Sequence, residues 1–509
     1  MSGGRDDNLA TKDVGKVPFE DAINEAGFGL YSYLYVALTG GIIVAFAFIV
    51  YGSSIIVPTS ACELGTTGGQ QGALAAAPVV GLLTGAVLWG YLGDTRGRRN
   101  MLLVSLVSAA LVNCLASLSV HWVMLLILQL LATILASGQY SLSMSLLSES
   151  VPMVKRNLVV LLVASIFLLS QGLMAVLAIP IIPLRFSYYM PALGIYWNSW
   201  RTLLLVYSLP SFIAAFFLFF MTESPKFVLA KDDEDRALSI LRTIYRINHR
   251  NSKNEFQVKG LLKEVQSENK SSVKEQIAPL FRAPLLKYTI IMTMLFMFQQ
   301  VGALQIWLPT VANQFMQMLD SGAPMNQTLC QFLGDRAEVV LDPDAVPCSL
   351  NETAMLIVFV VGAIHSTVNF LISLVVNMTG RRNMVMAVTA LCGLSGIILN
   401  LIPNTIASAT LYIVLLVGIV VLGLYTAIAV AVFPTTLRVM AVSVTLTGGR
   451  IATFASIQIL NLLFISNCEA GFYIFASLFA SSAIVASFLP DDRKLLAPKP
   501  KEDMEKNNN

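Results

Sequence analysis

The residues of this chain that could do chemistry lie inside long apolar runs. They are Gln139, Gln171, Gln299, Gln300, Gln305, Trp307, His365, Asn369, Tyr425 and Arg450. A guanidinium without a partner in hydrocarbon costs upwards of about 2.5 kcal/mol. Arg450, about a dozen residues into the run that follows Arg438, must therefore face a cavity, backbone carbonyls or a carboxylate. Two readings stand side by side for it: a contact to an anionic or strongly hydrogen-bonding solute, or a partner for helix ends. The glutamines suit a hydroxylated solute, and Trp307 and Tyr425 offer stacking faces. The competing reading is that such groups tie helices together, at about 0.6 kcal/mol per contact, and half of the set is expected to touch solute. His365 is either a titrating group or a packing residue. The runs hold no Asp or Glu, which disfavours coupling through a membrane carboxylate. No nucleophile, base and orienting group converge, no phosphate-cradling loop is present, and the three histidines show no metal-ligand spacing. The expectation is no enzyme, no metal and no cofactor.

A second kind of chemistry sits between the runs. In "LTGAVLWGYLGDTRGRRNML" an apolar stretch breaks into Gly90, Asp94, Gly97, Arg98 and Arg99 before the next begins. Gly90 is expected to allow close approach of a neighbouring helix and Gly97 to make a tight turn. Gly97-Arg98-Arg99 recurs as Gly380-Arg381-Arg382, 283 residues on, and Pro152 with Arg156 recurs as Pro434 with Arg438, 282 residues on. Two nearly equal offsets indicate a tandem duplication. In the second copy Asn377 stands where Asp94 would be, and Ala431 where Glu149 would be.

The elements that must position these groups follow from composition. Of 509 residues 56% are hydrophobic and only 12% charged, against about 25% charged in soluble domains. Mean hydropathy is +0.72. This is an integral membrane chain, and a net charge of +3 gives nucleic-acid binding no support. Runs long enough to cross a bilayer as helices fall at 33–57, 74–92, 101–118, 122–140, 158–180 and 202–221, then at 288–313, 354–376, 384–402, 411–432, 441–465 and 471–489. The fold class is thus all-α integral membrane, with twelve spans in two six-helix pseudo-symmetric halves. Lys and Arg concentrate in the loops after even-numbered spans, which places those loops and both termini in the cytosol.

The expected organisation is a cytosolic segment 1–29, a first half 30–221, a cytosolic linker 222–286, a second half 287–490 with an outer loop 314–353, and a cytosolic tail 491–509. In the linker, Asp232 and Asp233 can cap a helix whose apolar face repeats through Leu238, Ile240, Leu241, Ile244, Tyr245 and Ile247. The outer loop carries glycosylation acceptors at Asn326 and Asn351. It also carries Cys330 and Cys348, expected to pair in an oxidising compartment, with Cys62 and Cys468 available for a second bridge.

The Gly90-x-Leu92-x-Asp94-x-x-Gly97-Arg98-Arg99 loop resembles the cytoplasmic signature of the major facilitator superfamily. "SESVPMVKRN", through Glu149, Pro152 and Arg156, is similar to an element of sugar and organic-ion porters. With "TESPKFVLAKDDEDRALSILRTIYRIN", "SWRTLLLVYSLPS" and "FPTTLRVMAVSVTLTGGRIA", the chain looks most like the synaptic vesicle glycoprotein 2 branch. The resemblance implies two similarly oriented halves rocking about a central cavity. It also implies a cytosolic gate built from Gly90, Asp94, Gly97, Arg98, Arg99, Glu149, Arg156, Arg381 and Arg438, in which Asp94 pairs with an arginine and with the start of the eleventh span. The implied function is secondary-active or facilitative transport of a small polar or anionic organic solute by a monomer, in the plasma membrane or an intracellular vesicle. The alternative is a glycoprotein that uses the same fold for binding or trafficking.

Overall fold

The computed structural model describes residues 16–184, 186–250, 256–262, 278–299, 301–320, 322, 326–334, 350–434 and 437–490. The chain divides into two compact units, 1–270 with 343–366 and 271–342 with 367–509. Among the described residues, eleven helices are long and apolar enough to cross a membrane. The run expected at 384–402 is a helix too, Arg381–Ile398, of 18 residues. Its polar start, Arg381-Arg382-Asn383, keeps it below the apolarity of the other eleven.

In the first unit the described helices are α1 (Phe19–Ala26), α2 (Leu30–Tyr51), α3 (Ser53–Leu64), α4 (Gly68–Arg96), α5 (Arg98–Ala116), α6 (Trp122–Ser150), α7 (Met153–Ala178), α8 (Ser199–Phe219), α9 (Pro225–Ala230) and α10 (Glu234–Asn248). Helices α2 and α3 together form one apolar run, Leu30–Leu64. Hydrophobicity cannot hold helices together in lipid, so small residues and interhelical hydrogen bonds must do it. Helix α4 therefore meets α6 through Gly81 and Gly85, where an added Cβ would lie 2.0 Å from Thr133 Oγ1 and 2.1 Å from Ser137 Oγ. Trp89 lies over Gly138 and donates from Nε1 to Ile134 O at 2.9 Å. Asn113 on α5 donates to Leu204 O (3.2 Å) and Ser208 Oγ (2.9 Å) on α8.

Helix α10 takes the shape its periodicity predicts. Asp233 caps it, accepting from Arg236 N at 3.1 Å, and Ala237, Leu238, Ile240, Leu241 and Ile244 are buried. The face covering it was not legible in sequence: it includes α1, with Phe19, Ala22, Ile23 and Ala26 buried in the same core. Residues Lys16–Val17 pair in parallel with Gly260–Leu261. Asn248 then ties the end of α10 to the start of α2, donating to Ala26 O (3.2 Å) and Gly27 O (2.7 Å) and accepting from Tyr31 N (3.0 Å). The last of these satisfies one of the backbone donors that any helix start leaves open.

In the second unit α11 (Leu285–Phe298) breaks at Gln299 and continues as α12 (Val301–Ile306) and α13 (Leu308–Asp320), followed by the short α14 (Leu329–Gly334). Helix α15 (Glu352–Thr379) begins among residues of the first unit and ends among those of the second. Then come α16 (Arg381–Ile398), α17 (Thr405–Val417), α18 (Val421–Val432), α19 (Arg438–Ser466) and α20 (Cys468–Ser487). Glycines again set the closest crossings: Gly393 faces Ala480, and Gly448 and Gly449 bring α19 against Thr293 and Phe296 of α11.

Candidate functional site

The polar residues inside the spans divide by what holds them. Gln139 is fully buried and donates from Nε2 to Ser105 O at 3.3 Å, and Gln299 donates to Gly418 O at 3.0 Å. Both therefore tie neighbouring helices, yet each Oε1 has no partner among the described residues. Trp307 is 8% exposed, sits edge-on to Phe464 at 5.9 Å, and its indole Nε1 is likewise without a partner there. Tyr425 is buried edge-on to Phe296 at 5.7 Å. His365 is fully buried on α15, one turn before half-buried Asn369. Gln171, Gln305 and Arg450 are half-buried and engaged by neighbours. Arg450 follows directly on Gly448-Gly449, where α19 presses on α11. Gln300 lies outside the described residues.

At the basic turns the structure gives the partners. Gly97 has φ +99° and Gly380 φ +82°, so both turns use backbone that only glycine adopts without strain. Arg98 forms an ion pair with Glu149, and Glu149 accepts from Ser224 Oγ at 2.5 Å. Arg99 donates its backbone N–H to Glu223 Oε1 at 2.9 Å, and its guanidinium donates to the carbonyls of Leu218 (3.3 Å) and Phe219 at the end of α8. Cations at a helix C-terminus are favourable. Arg156 pairs with Glu20 of α1 at 2.9 Å. In the second copy Arg381 donates to Ala427 O at 3.1 Å and Arg382 to Leu489 O at 3.0 Å. The side chains of Asp94 and Arg438 lie outside the description. Gly90 does not make the expected close approach: a Cβ there would meet nothing within 4 Å, and the tight position is Gly93, against Leu142.

The far end of the first unit carries a cluster that sequence reading missed. Arg201, fully buried, donates to Glu63 Oε1 (2.6 Å) and to Ser117 O (2.6 Å), and its guanidinium lies 4.4 Å over the Trp200 ring. Glu63 Oε2 also accepts from Trp200 Nε1 at 2.6 Å and Asn198 Nδ2 at 2.5 Å. One carboxylate thus joins α3 to α8, and through Arg201 to the end of α5. The signal was present in "NSWR", where an arginine enters an apolar run.

The cysteine pairing expected from the outer loop is corrected. Cys330 bonds to Cys468, with Cα atoms 5.6 Å apart. The expected partner, Cys348, lies outside the described residues, and Cys62 is disulfide-bonded but not to Cys468. The bridge seats α14 on the start of α20, supported by Cys330 N donating to Asn400 Oδ1 at 3.3 Å and Thr405 Oγ1 to Gln327 O at 3.2 Å. Of the acceptor asparagines, Asn326 is exposed, and Asn351 accepts from Thr353 N at 2.8 Å at the start of α15.

A family model described as Major Facilitator Superfamily matches residues 37–457. The chain belongs to the major facilitator superfamily. Within the superfamily it is similar to the putative transporter svop-1 of Caenorhabditis elegans, 29% identical over 229 residues, covering 45% of this chain and 41% of that one. A synaptic vesicle 2-related protein of Xenopus laevis is 28% identical over 225 residues, covering 44% and 38%. Synaptic vesicle glycoprotein 2A of Rattus norvegicus is 26% identical over 250 residues, covering 49% and 34%. These matches span about two fifths of the length of the curated relatives. Among solved structures, a partially occluded inward-open conformation of the xylose transporter XylE from E. coli superposes with a TM-score of 0.63 at 15% identity, covering 91% of this chain and 99% of that one. At that identity the likeness establishes the superfamily fold, an all-α bundle of membrane-spanning helices.

Proposed function

We propose that the chain is a secondary transporter that moves a small polar or anionic organic solute by alternating access. The observation that carries this reading is the Trp307 indole Nε1, a buried polar atom inside a span with no protein partner among the described residues. Such an atom in an apolar surrounding costs about 1–3 kcal/mol, a cost that a hydroxylated solute or water removes. Superfamily membership and relatives named as transporters support the same reading. Gln171, Gln305, Trp307, Asn369 and Arg450 are the proposed solute contacts, with Arg450 the anion-selective one. Gln139, Gln299 and Tyr425 hold helices in register. The basic turns support cytosolic termini, and the relatives' names support a vesicle or plasma membrane.

Uptake into proteoliposomes, together with solute-dependent thermal stabilisation across panels of sugars, organic anions and organic cations, tests the proposal. A stabilising solute should also be taken up. Arg450→Gln should abolish uptake of anions while leaving the fold intact. Stabilisation by a solute without uptake would overturn transport in favour of binding.

A further inference from the structure

Between the end of α7 and the start of α8 the chain forms a short hairpin, Tyr188–Met190 paired antiparallel with Ile195–Trp197. Its register sets Tyr189 opposite Tyr196 and Tyr188 opposite Trp197. The rings also touch: Tyr189 and Tyr196 have centroids 5.2 Å apart, and Phe186 and Tyr188 5.9 Å. Yet the tyrosines are not buried, with Tyr188 69%, Tyr189 57% and Tyr196 53% exposed, and Leu193 at the turn 41%. From Phe186 to Asn198 there is no Asp, Glu, Lys or Arg. A loop without charge that presents three tyrosines and a leucine is poorly matched to bulk water.

Its height relative to the spans gives the partner. Helix α8 has 21 residues, about 31 Å at 1.5 Å per residue, close to the roughly 30 Å hydrocarbon core. Ser199 therefore lies near the core boundary. Tyr196 precedes it by three residues, within about 10 Å at the rise of an extended strand. Trp197 Nε1 donates to Thr202 Oγ1 at 3.0 Å, which pins the strand to the first turn of α8. The register then brings Tyr188 and Tyr189 to the same level as Tyr196. The hairpin surface is continuous with the boundary of a span, at the depth where tyrosine and tryptophan place an apolar ring in lipid and a hydroxyl or N–H in water.

We propose that this hairpin is an interfacial anchor, whose tyrosines lie in the phospholipid headgroup layer of the bilayer that the spans cross, at the end opposite the basic turns. It fixes the depth of α7 and α8 and holds the Glu63–Arg201 cluster, whose Asn198, Trp200 and Arg201 follow Tyr196 by two to five residues, at the edge of the lipid.

Spin labels on the full chain in phosphatidylcholine nanodiscs test this. The free cysteines Cys114 and Cys392 are replaced by serine, and labels are placed at Y188C and Y196C, with R242C at an exposed position of α10 as the aqueous reference. Labels at 188 and 196 should collide more with oxygen and less with a nickel chelate than the reference label, while A192C at the turn falls between. Equal ratios at 188, 196 and 242 would overturn the proposal. So would labels shielded from both relaxants, which means a hairpin folded onto its own chain, or dipolar broadening between labels, which means a second copy. If Y196C does not fold, Y189C reports the same register position.

Discussion

The two copies of the Gly-Arg-Arg turn have the same backbone and different partners. Gly97 and Gly380 share a positive φ, at ψ 142° and 145°, so duplication preserved the turn itself. In the first unit Arg98 and Arg99 meet the carboxylates of Glu149 and Glu223. In the second, Arg381 and Arg382 meet the carbonyls of Ala427 and Leu489. At the far ends the first unit closes Glu63 on Arg201, beside the disulfide-bonded Cys62, and the second closes Cys330 on Cys468. A charged pair can be weakened by protonation or exchanged for another partner. A carbonyl cap or a covalent bridge offers no such change. The first unit thus adds arginine–carboxylate pairs that respond to charge to whatever else closes its ends.

Breaking the covalent closure should have the largest effect. Cys330 and Cys468 close a 138-residue separation, and native bridges of that kind contribute about 2–4 kcal/mol. Cys468→Ser should lower unfolding stability by that amount at every salt concentration, read as a lower thermal midpoint, and non-reducing peptide mapping of the wild type should recover a 330–468 linked pair. A 330–348 linked pair would remove this side of the comparison. Next is Glu63→Ala, which leaves the fully buried Arg201 without its carboxylate. Removing one partner of a buried pair costs about 3–5 kcal/mol, and because Glu63 keeps 26% of its side chain exposed the expected loss is about 3 kcal/mol. Glu63→Gln, which can still accept from Trp200 and Asn198, should lose less.

How far these partners were legible differs from residue to residue. The spans were legible because apolar length is a local property, and the turns because glycine with paired arginines repeats at a fixed offset. The helix at α10 was legible from its cap and its periodicity. Cysteine pairing was not, since four outward cysteines permit several connectivities and spacing chooses none of them. Glu63 reads in sequence as an ordinary loop acid, and its role emerges only when α3 extends the first span as far as Arg201. Lys16–Val17 carries no signal for pairing with Gly260–Leu261, a contact that depends on the whole first unit having folded. Gly90 misled because the small residue that a neighbour needs is Gly93, three positions on. In the candidate solute path, residue types marked polar groups inside apolar runs, but which of them tie helices is a matter of partner carbonyls that sequence does not print.

Three substitutions sharpen the comparison at the turns. Glu149→Ala removes the partner of Arg98 and the acceptor for Ser224 Oγ, in a pair with side chains only 19% and 13% exposed. The expected loss is about 2 kcal/mol, read in thermal unfolding. Arg382→Ala, which removes the cap on the Leu489 carbonyl, should lose about half as much. Conversely, Ala431 lies one helical turn beyond Ala427 on α18, at the repeat position of Glu149. Ala431→Glu should add a carboxylate near Arg381, with a gain of about 0.5 kcal/mol that disappears in high salt.

The smallest effect is the most specific to the charged unit. Glu234 accepts from Lys16 Nζ and from Leu261 N, each at 2.9 Å. The hydrogen bond from Lys16 and then that from the Leu261 amide hold its carboxyl below the ordinary value. A carboxylate with a lowered value contributes its stabilisation fully above the unfolded value and loses it as pH falls through the folded one. Docking of Lys16–Val17 on Gly260–Leu261 should therefore be constant from pH 7 to 5 and loosen below about pH 4. Hydrogen exchange in the 256–262 peptide, corrected for intrinsic rates, should rise over that interval in the wild type and stay flat in Glu234→Gln. The Arg382 cap, which ends on the Leu489 carbonyl, should show no change across the same range. If the second unit's turn loosened in step with the 256–262 segment, the contrast in how the two units are held would be lost.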